Sequence, residues 1–416
     1  MTDHRVLLGM AEEPSDGGVR VDKKKYFAVF VLAITALAYY YIMTNVLTDF
    51  TNGLAYSEKS LIMAAYYVGV GIAATIGAFL SGRFVRRRSL LFSWLLFSMV
   101  SLLLSLLVGG AAANAVAMVS LIWGLSVGLG MPSSMAFFAD ATQIERRGKI
   151  GGLLAFAFNI FLFGLTLSLN VLAPMHRAQA FIIWLGFALL VLILFRQDSG
   201  PSGETKNPSL LSVLHEARFV LYLVPWIMFC LINSLEAPIL EHFLGTSFFN
   251  LSLAAELAIS SIFALVGGLM ADRMGRKLVA IIGFAMLGLG YAVLGLLPEF
   301  TVSHYLYVAL DGTAWGMFVV IFFMVLWGDL AGSMSKDKYY LMGGLPFLLS
   351  WLVQLPIQPL AESISIYAAF SFASFFLFLA VLPLLYAPET LPEKKIQEKE
   401  LKSYIEKAKK AKEKHV

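Results

Sequence analysis

Charge is scarce in this chain: 14% of its 416 residues are Asp, Glu, Lys or Arg, 59% are hydrophobic, and the mean hydropathy is +0.78. A water-soluble domain of that length needs a polar shell that this composition does not provide. Cysteine is scarcer still. The one thiol, Cys230, sits inside an apolar run, which excludes an internal disulfide and reads as packing rather than chemistry. The segment 1–25 carries no apolar core ahead of a cleavage site, so a secretory signal peptide is not expected. No Gly-x-x-x-x-Gly-Lys-Ser/Thr loop occurs, which argues against nucleotide hydrolysis. No metal-ligand cluster and no nucleophile–base pair with recognisable spacing is present, so neither an enzyme, a metal nor a cofactor is expected.

What the chain has in abundance is apolar runs of about 20 residues, the length that crosses a bilayer. Twelve helical spans are expected, at approximately 26–48, 59–81, 89–109, 113–139, 149–173, 178–195, 219–243, 250–271, 278–297, 304–328, 339–361 and 364–386. Lipid offers no partner to free backbone groups, and no alternating strand pattern appears, so the fold class is an all-α integral membrane protein. With the N-terminus placed in the cytoplasm, only Lys59 and Arg177 of the 31 Lys and Arg residues fall on the outer side. That bias predicts a multi-pass protein of the cell membrane with both termini cytoplasmic.

The spans divide into two six-helix halves. The expected organisation is a cytoplasmic segment over 1–25, one half over 26–196, a cytoplasmic central loop over 197–217, a second half over 218–388 and a charged tail over 389–416. Gly200, Pro201, Gly203 and Pro208 punctuate the central loop. Three features recur at a near-constant offset along the chain. Gly124 and Gly128 in the fourth span correspond to Gly312 and Gly316 in the tenth; Asp140 and Asp329 end those spans; Arg83, Arg86 and Arg87 correspond to Arg273, Arg276 and Lys277. Three separate features keeping one offset argue for an internal repeat.

Between the eighth and ninth spans lies Gly268-Leu-Met-Ala-Asp272-Arg273-Met-Gly275-Arg276-Lys277. Gly268 permits close helix approach, Gly275 a tight turn, Asp272 can accept from loop amides, and Arg276 can reach a carboxylate at a neighbouring helix end, Asp140 and Asp329 being the expected carboxylates, one per half. This segment, in a chain of twelve spans with a central loop, resembles the loop pattern of the major facilitator superfamily. The resemblance implies two pseudo-symmetric six-helix halves and a network that latches the cytoplasmic side when the protein faces outward. The first-half copy, Ala78 to Arg87, lacks the aspartate and the second glycine. Pro388-Glu389-Thr390 is similar to the element after the last helix of sugar and organic-ion porters, whereas Arg196-Gln-Asp-Ser-Gly200 lacks the sugar-porter pattern. Gly124 stands where many proton-coupled members carry an arginine.

No Lys or Arg falls inside a span, which disfavours strongly anionic substrates. Glu236 in the seventh span and Asp311 in the tenth lie at similar depth, and in the family fold both spans line the central cavity, so these acids are expected to face it as proton-coupling groups and substrate contacts. Trp315, one turn from Asp311, could hold a cation on its ring face. Tyr41, Asn45 and Asp49, Trp123, Asn159 with Thr166 and Asn170, Asn233, and Trp351, Gln354, Gln358 and Glu362 are further candidates for the cavity wall. Asp49, Glu241, Glu256 and Glu362 read as interfacial. The resulting expectation is a monomeric secondary transporter working by alternating access, proton-coupled, moving a small organic cation or amphipathic drug-like molecule; the alternative is proton-coupled uptake of a neutral solute such as a sugar. A non-transporting receptor on the same fold is the third reading. The partners are a small-molecule substrate, protons and the lipid bilayer, with no nucleic acid.

Overall fold

The computed structural model describes residues 23–81, 84–104, 113–168, 174–195 and 207–391, without the side chains of 23–25, 168, 174–179 and 362. Arg83, Asn170 and the tail from 392 onward therefore lie outside the described residues, as does the side chain of Glu362. The N-terminal half holds α1 (Lys23–Thr51), α2 (Tyr56–Leu80), α3 (Arg87–Leu103), α4 (Ala113–Ala141), α5 (Arg147–Ser168) and α6 (Pro174–Leu194). A short helix, α7 (Leu210–Leu214), capped by Ser209 accepting from Ser212 N at 3.0 Å, occupies part of the expected central loop. The C-terminal half holds α8 (Ala217–Leu244), α9 (Thr246–Met274), α10 (Arg276–Leu296), α11 (Thr301–Phe318), α12 (Leu326–Ala331), α13 (Lys336–Ile357), α14 (Ile366–Leu379) and α15 (Val381–Tyr386). Among the described residues, ten helical runs are long and apolar enough to cross a bilayer. Helices α3 and α6 complete the twelve spans; α3 is described only to Leu103, short of the expected end at 109.

The tenth span is not one regular helix. A π-helical stretch, Val319–Val325, joins α11 to α12 and turns both Phe322 and Phe323 toward Trp226, at 4.5 and 5.5 Å between ring centroids. A π segment places one extra residue per turn, so adjacent side chains share a face that a regular helix would split. The eleventh span ends likewise in a 3-10 turn, Gln358–Ser363, after Pro356.

The repeat is visible in the packing. Gly124 and Gly128 of α4 lie against the Tyr66 and Val70 carbonyls of α2, while Gly312 and Gly316 of α11 lie against the Glu256 and Ser260 carbonyls of α9. Small residues bring the backbones together where lipid supplies no hydrophobic drive between helices. Between the halves, α5 packs on α9 and α2 on α13. Gly268 has the tightest fit in the first seam, where an added Cβ would stand 2.9 Å from Gly152 Cα.

Candidate functional site

One end of the bundle carries nearly all the basic side chains, and charged pairs cross between the halves there. In one network Asp329, at the end of the tenth span, accepts Arg276 Nε at 2.9 Å and also pairs with Arg147, the first residue of α5. Arg276 is fully buried and Arg147 is 4% exposed. Asp272 caps α5, accepting from Gly148 N at 2.9 Å and Lys149 N at 2.7 Å, and stands 3.2 Å from Arg276. In the other network Asp140, at the end of α4, pairs with Arg87 and with Lys336, the first residue of α13. Arg87 Nε reaches Asp337 at 3.3 Å, and Ser133 Oγ donates to Asp337 at 2.9 Å.

Gly275, at φ +100°, makes the turn between α9 and α10, and a Cβ there would stand 2.7 Å from the Glu389 carboxyl carbon. Glu389 accepts from Arg276 N at 2.8 Å and Lys277 N at 3.1 Å, so the Pro-Glu-Thr element caps the N-terminus of α10. Arg273 is exposed, and Lys277 Nζ donates to the Leu385 carbonyl at 2.6 Å. One expectation is corrected here: Arg87, not the exposed Arg86, supplies the first-half guanidinium, pairing with Asp140, while Arg276 pairs with Asp329 and Asp272. Arg147, Lys336 and Asp337 were not singled out, although Arg147 and Lys336 are separated by the same offset as Asp140 and Asp329.

A cleft between the halves is lined by Leu37 of α1, Met131, Pro132 and Met135 of α4, Phe322 and Phe323 of the π segment, and Phe347 and Leu348 of α13. Farther from the basic end, the same helices carry polar side chains at helical spacing. Tyr41 and Asn45 follow Leu37 at one and two turns, and Trp351 and Gln354 follow Phe347. All four are half-buried, as are Asn233 and Trp315. Tyr41 shares a hydrogen bond with Thr166 at 3.1 Å, and Asn45 Nδ2 donates to Tyr41 O at 2.8 Å. The Trp315 ring packs edge-on against Phe229 at 5.0 Å.

Three cavity candidates sit elsewhere. Trp123 is fully buried with its N–H donating to Ser101 O at 2.9 Å, a packing residue between α3 and α4. Asn159 is 1% exposed and donates to Ser260 Oγ at 2.8 Å across the halves. Gln358 is exposed and lines a pocket at the opposite mouth with Glu241, His242 and Thr246.

Glu236 and Asp311 are buried inside the C-terminal half, close enough for their charges to interact. Glu256, read from the sequence as interfacial, lies instead beside Asp311, and Tyr291 and Tyr307 lie beside Glu236. Among the described residues, one oxygen each of Glu236 and Asp311 and the Tyr291 hydroxyl are buried without a hydrogen-bond partner, and no cation pairs with the three acids.

Two related six-helix halves, seamed by glycine-rich helix pairs, latched at one end and cleft between, define a membrane transporter of the two-bundle type. A family model for the Major Facilitator Superfamily matches residues 26–335. The chain belongs to the major facilitator superfamily. It is 24% identical over 404 residues to the "Putative metabolite transport protein YfiG" of Bacillus subtilis (strain 168), with 81% of each chain covered. Its fold is similar to the proton:xylose symporter XylE bound to 6-bromo-6-deoxy-D-glucose, with a TM-score of 0.69, 16% identity, and 88% of this chain and 96% of that one covered. It is also similar to the transporter FucP in the outward conformation, with a TM-score of 0.67, 13% identity, and 88% and 98% covered.

Proposed function

We propose that this transporter carries a small neutral polar solute, such as a sugar, by proton-coupled alternating access, with the basic end in the cytoplasm. The observation that carries this reading is the set of uncharged polar and aromatic side chains that helical spacing places beyond the cleft. Tyr41, Asn45, Asn233, Trp315 and Gln354 are half-buried and uncharged, whereas Glu236 and Asp311 are buried inside one half. Hydroxyl-rich solutes are held by amide and phenol hydrogen bonds and by aromatic faces. Asp49, one turn beyond Asn45, is half-buried on the same stripe, but the uncharged majority of the set favours the neutral solute over the organic cation expected from the sequence. The similarity to a proton:xylose symporter and to a metabolite transport protein supports the same choice. The Lys and Arg bias supports the cytoplasmic assignment of the latched end. Glu236 and Asp311, with Glu256, are the groups assigned to proton coupling. The unit boundaries expected from the sequence are retained, with 26–196 and 218–388 rocking against each other.

The test is thermal unfolding of the purified protein over a panel of monosaccharides, organic cations and organic anions. A ligand at 100 times its Kd stabilises by about 2.7 kcal/mol. Monosaccharides are expected to shift the transition, Gln354→Ala to lose the shift and Glu236→Gln to keep it. In proteoliposomes Glu236→Gln should abolish accumulation driven by a pH gradient while leaving counterflow exchange. A cation-induced shift that Glu236→Gln removes would replace the neutral-solute reading.

A further inference from the structure

The two latch networks each contain two acids and two bases, but the second acid comes from different places. In the network around Asp329, the partners are Arg276 and Arg147, and the second acid, Asp272, ends α9 and caps α5 through the N–H groups of Gly148 and Lys149. In the network around Asp140, the partners are Arg87 and Lys336. One identical offset relates Asp140 to Asp329, Arg87 to Arg276, and Arg147 to Lys336. At position 83, where that relation requires a counterpart of Asp272, the sequence has Arg, preceded by Gly82. By the same relation Asp337 matches Gly148, the residue whose N–H Asp272 caps.

We infer that Asp337 is the relocated carboxylate of the N-terminal half's latch, moved from the loop after α2 to the first turn of the facing helix α13. Asp337 is 1% exposed and meets Arg87 through both Nε, at 3.3 Å, and Nη2. Ser133 Oγ, from α4, donates to it at 2.9 Å. It balances the charge that Arg87 and Lys336 leave after Asp140 is counted. A carboxylate in the first turn of α13 also meets the partial positive charge of that helix end, as Asp272 does for α5 from outside. The location changes what the bond is made of. Asp272 grips backbone amides, whereas Asp337 grips a side chain, so the second latch depends on Arg87 as the first does not depend on any one partner of Asp272. Asp337 is thus a positioning residue that acts through Arg87, and the Arg87–Asp337 contact crosses between the halves and must break when this end opens.

The test reads opening at the α2–α13 seam, independently of any substrate. Ala78, 1% exposed and packed in one cluster with Leu341, is replaced by Cys in a Cys230→Ala background, and maleimide labelling is timed. Asp337→Asn leaves two bases and one acid, and labelling should quicken at least about tenfold, because removing one partner of a buried pair strands the other. Asp337→Glu, which keeps the charge, should stay within about threefold of the parent. Arg87→Gln combined with Asp337→Asn restores neutrality and should return labelling most of the way toward the parent rate. Each variant is accepted only if it elutes as a single folded species. Unchanged labelling in Asp337→Asn overturns the inference. Faster labelling that the double variant does not reverse also overturns it, since a helix cap alone has no need of Arg87. If Asp337→Asn does not fold, recovery of folded protein in the double variant supports the inference and failure to recover it overturns the inference.

Discussion

Neutralising Asp329 is the sharpest perturbation the latch allows. Its two oxygens take Arg276 and Arg147, and the side chains of all three are between 0% and 5% exposed. Asp329→Asn keeps the shape and removes one of two negative charges, leaving two guanidiniums with Asp272, which stands 3.2 Å from Arg276 only. A unit-charge pair at 4 Å is worth about 4 kcal/mol at an effective dielectric of about 20. The asparagine oxygen still accepts one hydrogen bond, so the net loss falls in the range of about 3–5 kcal/mol found when a buried pair loses one member. That loss applies to the conformation with this end closed, because Arg147 and Arg276 reach water once the halves part. At about 1.4 kcal/mol per tenfold, the ratio of open to closed should rise by roughly two to three and a half orders of magnitude. Spin labels at Gln143 and Met274, exposed on opposite halves at this end, read the change as a distance distribution in a Cys230→Ala background. The expected result is transfer of most of the population to a longer distance. An unchanged distribution in a folded, monodisperse variant would refute the argument that Asp329 holds the end shut.

Two further outcomes follow from the same packing. An ideal Cβ on Gly316 stands 2.6 Å from Ser260 O and 2.8 Å from Ala264 N, so Gly316→Val must push α11 off α9; overpacking of this kind costs about 1–3 kcal/mol, and the melting temperature in detergent should fall by several degrees. Glu389→Gln removes the charge that meets the N–H groups of Arg276 and Lys277, at a cost of about 1–2 kcal/mol, so the Gln143–Met274 distance distribution should broaden less than in Asp329→Asn.

The span count was legible because each span must satisfy its own backbone in lipid, which forces a long apolar run into the sequence. The latch around Asp329 was legible because its parts fall in one short segment, Gly268 to Lys277, and at helix ends. Its partner Arg147 was not, because in a basic loop of Arg146, Arg147 and Lys149 nothing local separates the buried cation from the exposed ones. Only the repeat offset to Lys336 marks it. Trp123 and Asn159 misled for the opposite reason. Helical periodicity places a residue on a face but does not say whether that face meets a cavity, another helix or the opposite half. Asn159 meets Ser260, and Trp123 meets Ser101. Glu256 looked interfacial because its depth was judged along its own helix. Its neighbour Asp311 comes from α11, which the Gly312 contact draws onto the Glu256 carbonyl at 3.0 Å from an ideal Cβ. That approach is tertiary, and no reading of α9 alone contains it.

The halves share latch chemistry and helix seams but not the acidic group. Carried back by the repeat offset, Glu236 falls on Val46 to Thr48, Asp311 on Leu121 to Trp123, and Glu256 on Tyr66 to Val68, and none of these is acidic. Tyr66 and Trp123 are fully buried there, filling with aromatic volume the level at which the other half places carboxyls. The repeat keeps the seam glycines and the helix-end aspartates in both halves, each of which has its own glycine seam and its own share of the paired charges. A buried acid in a membrane-spanning segment is costly, so confining the acidic group to one half spares the other that cost.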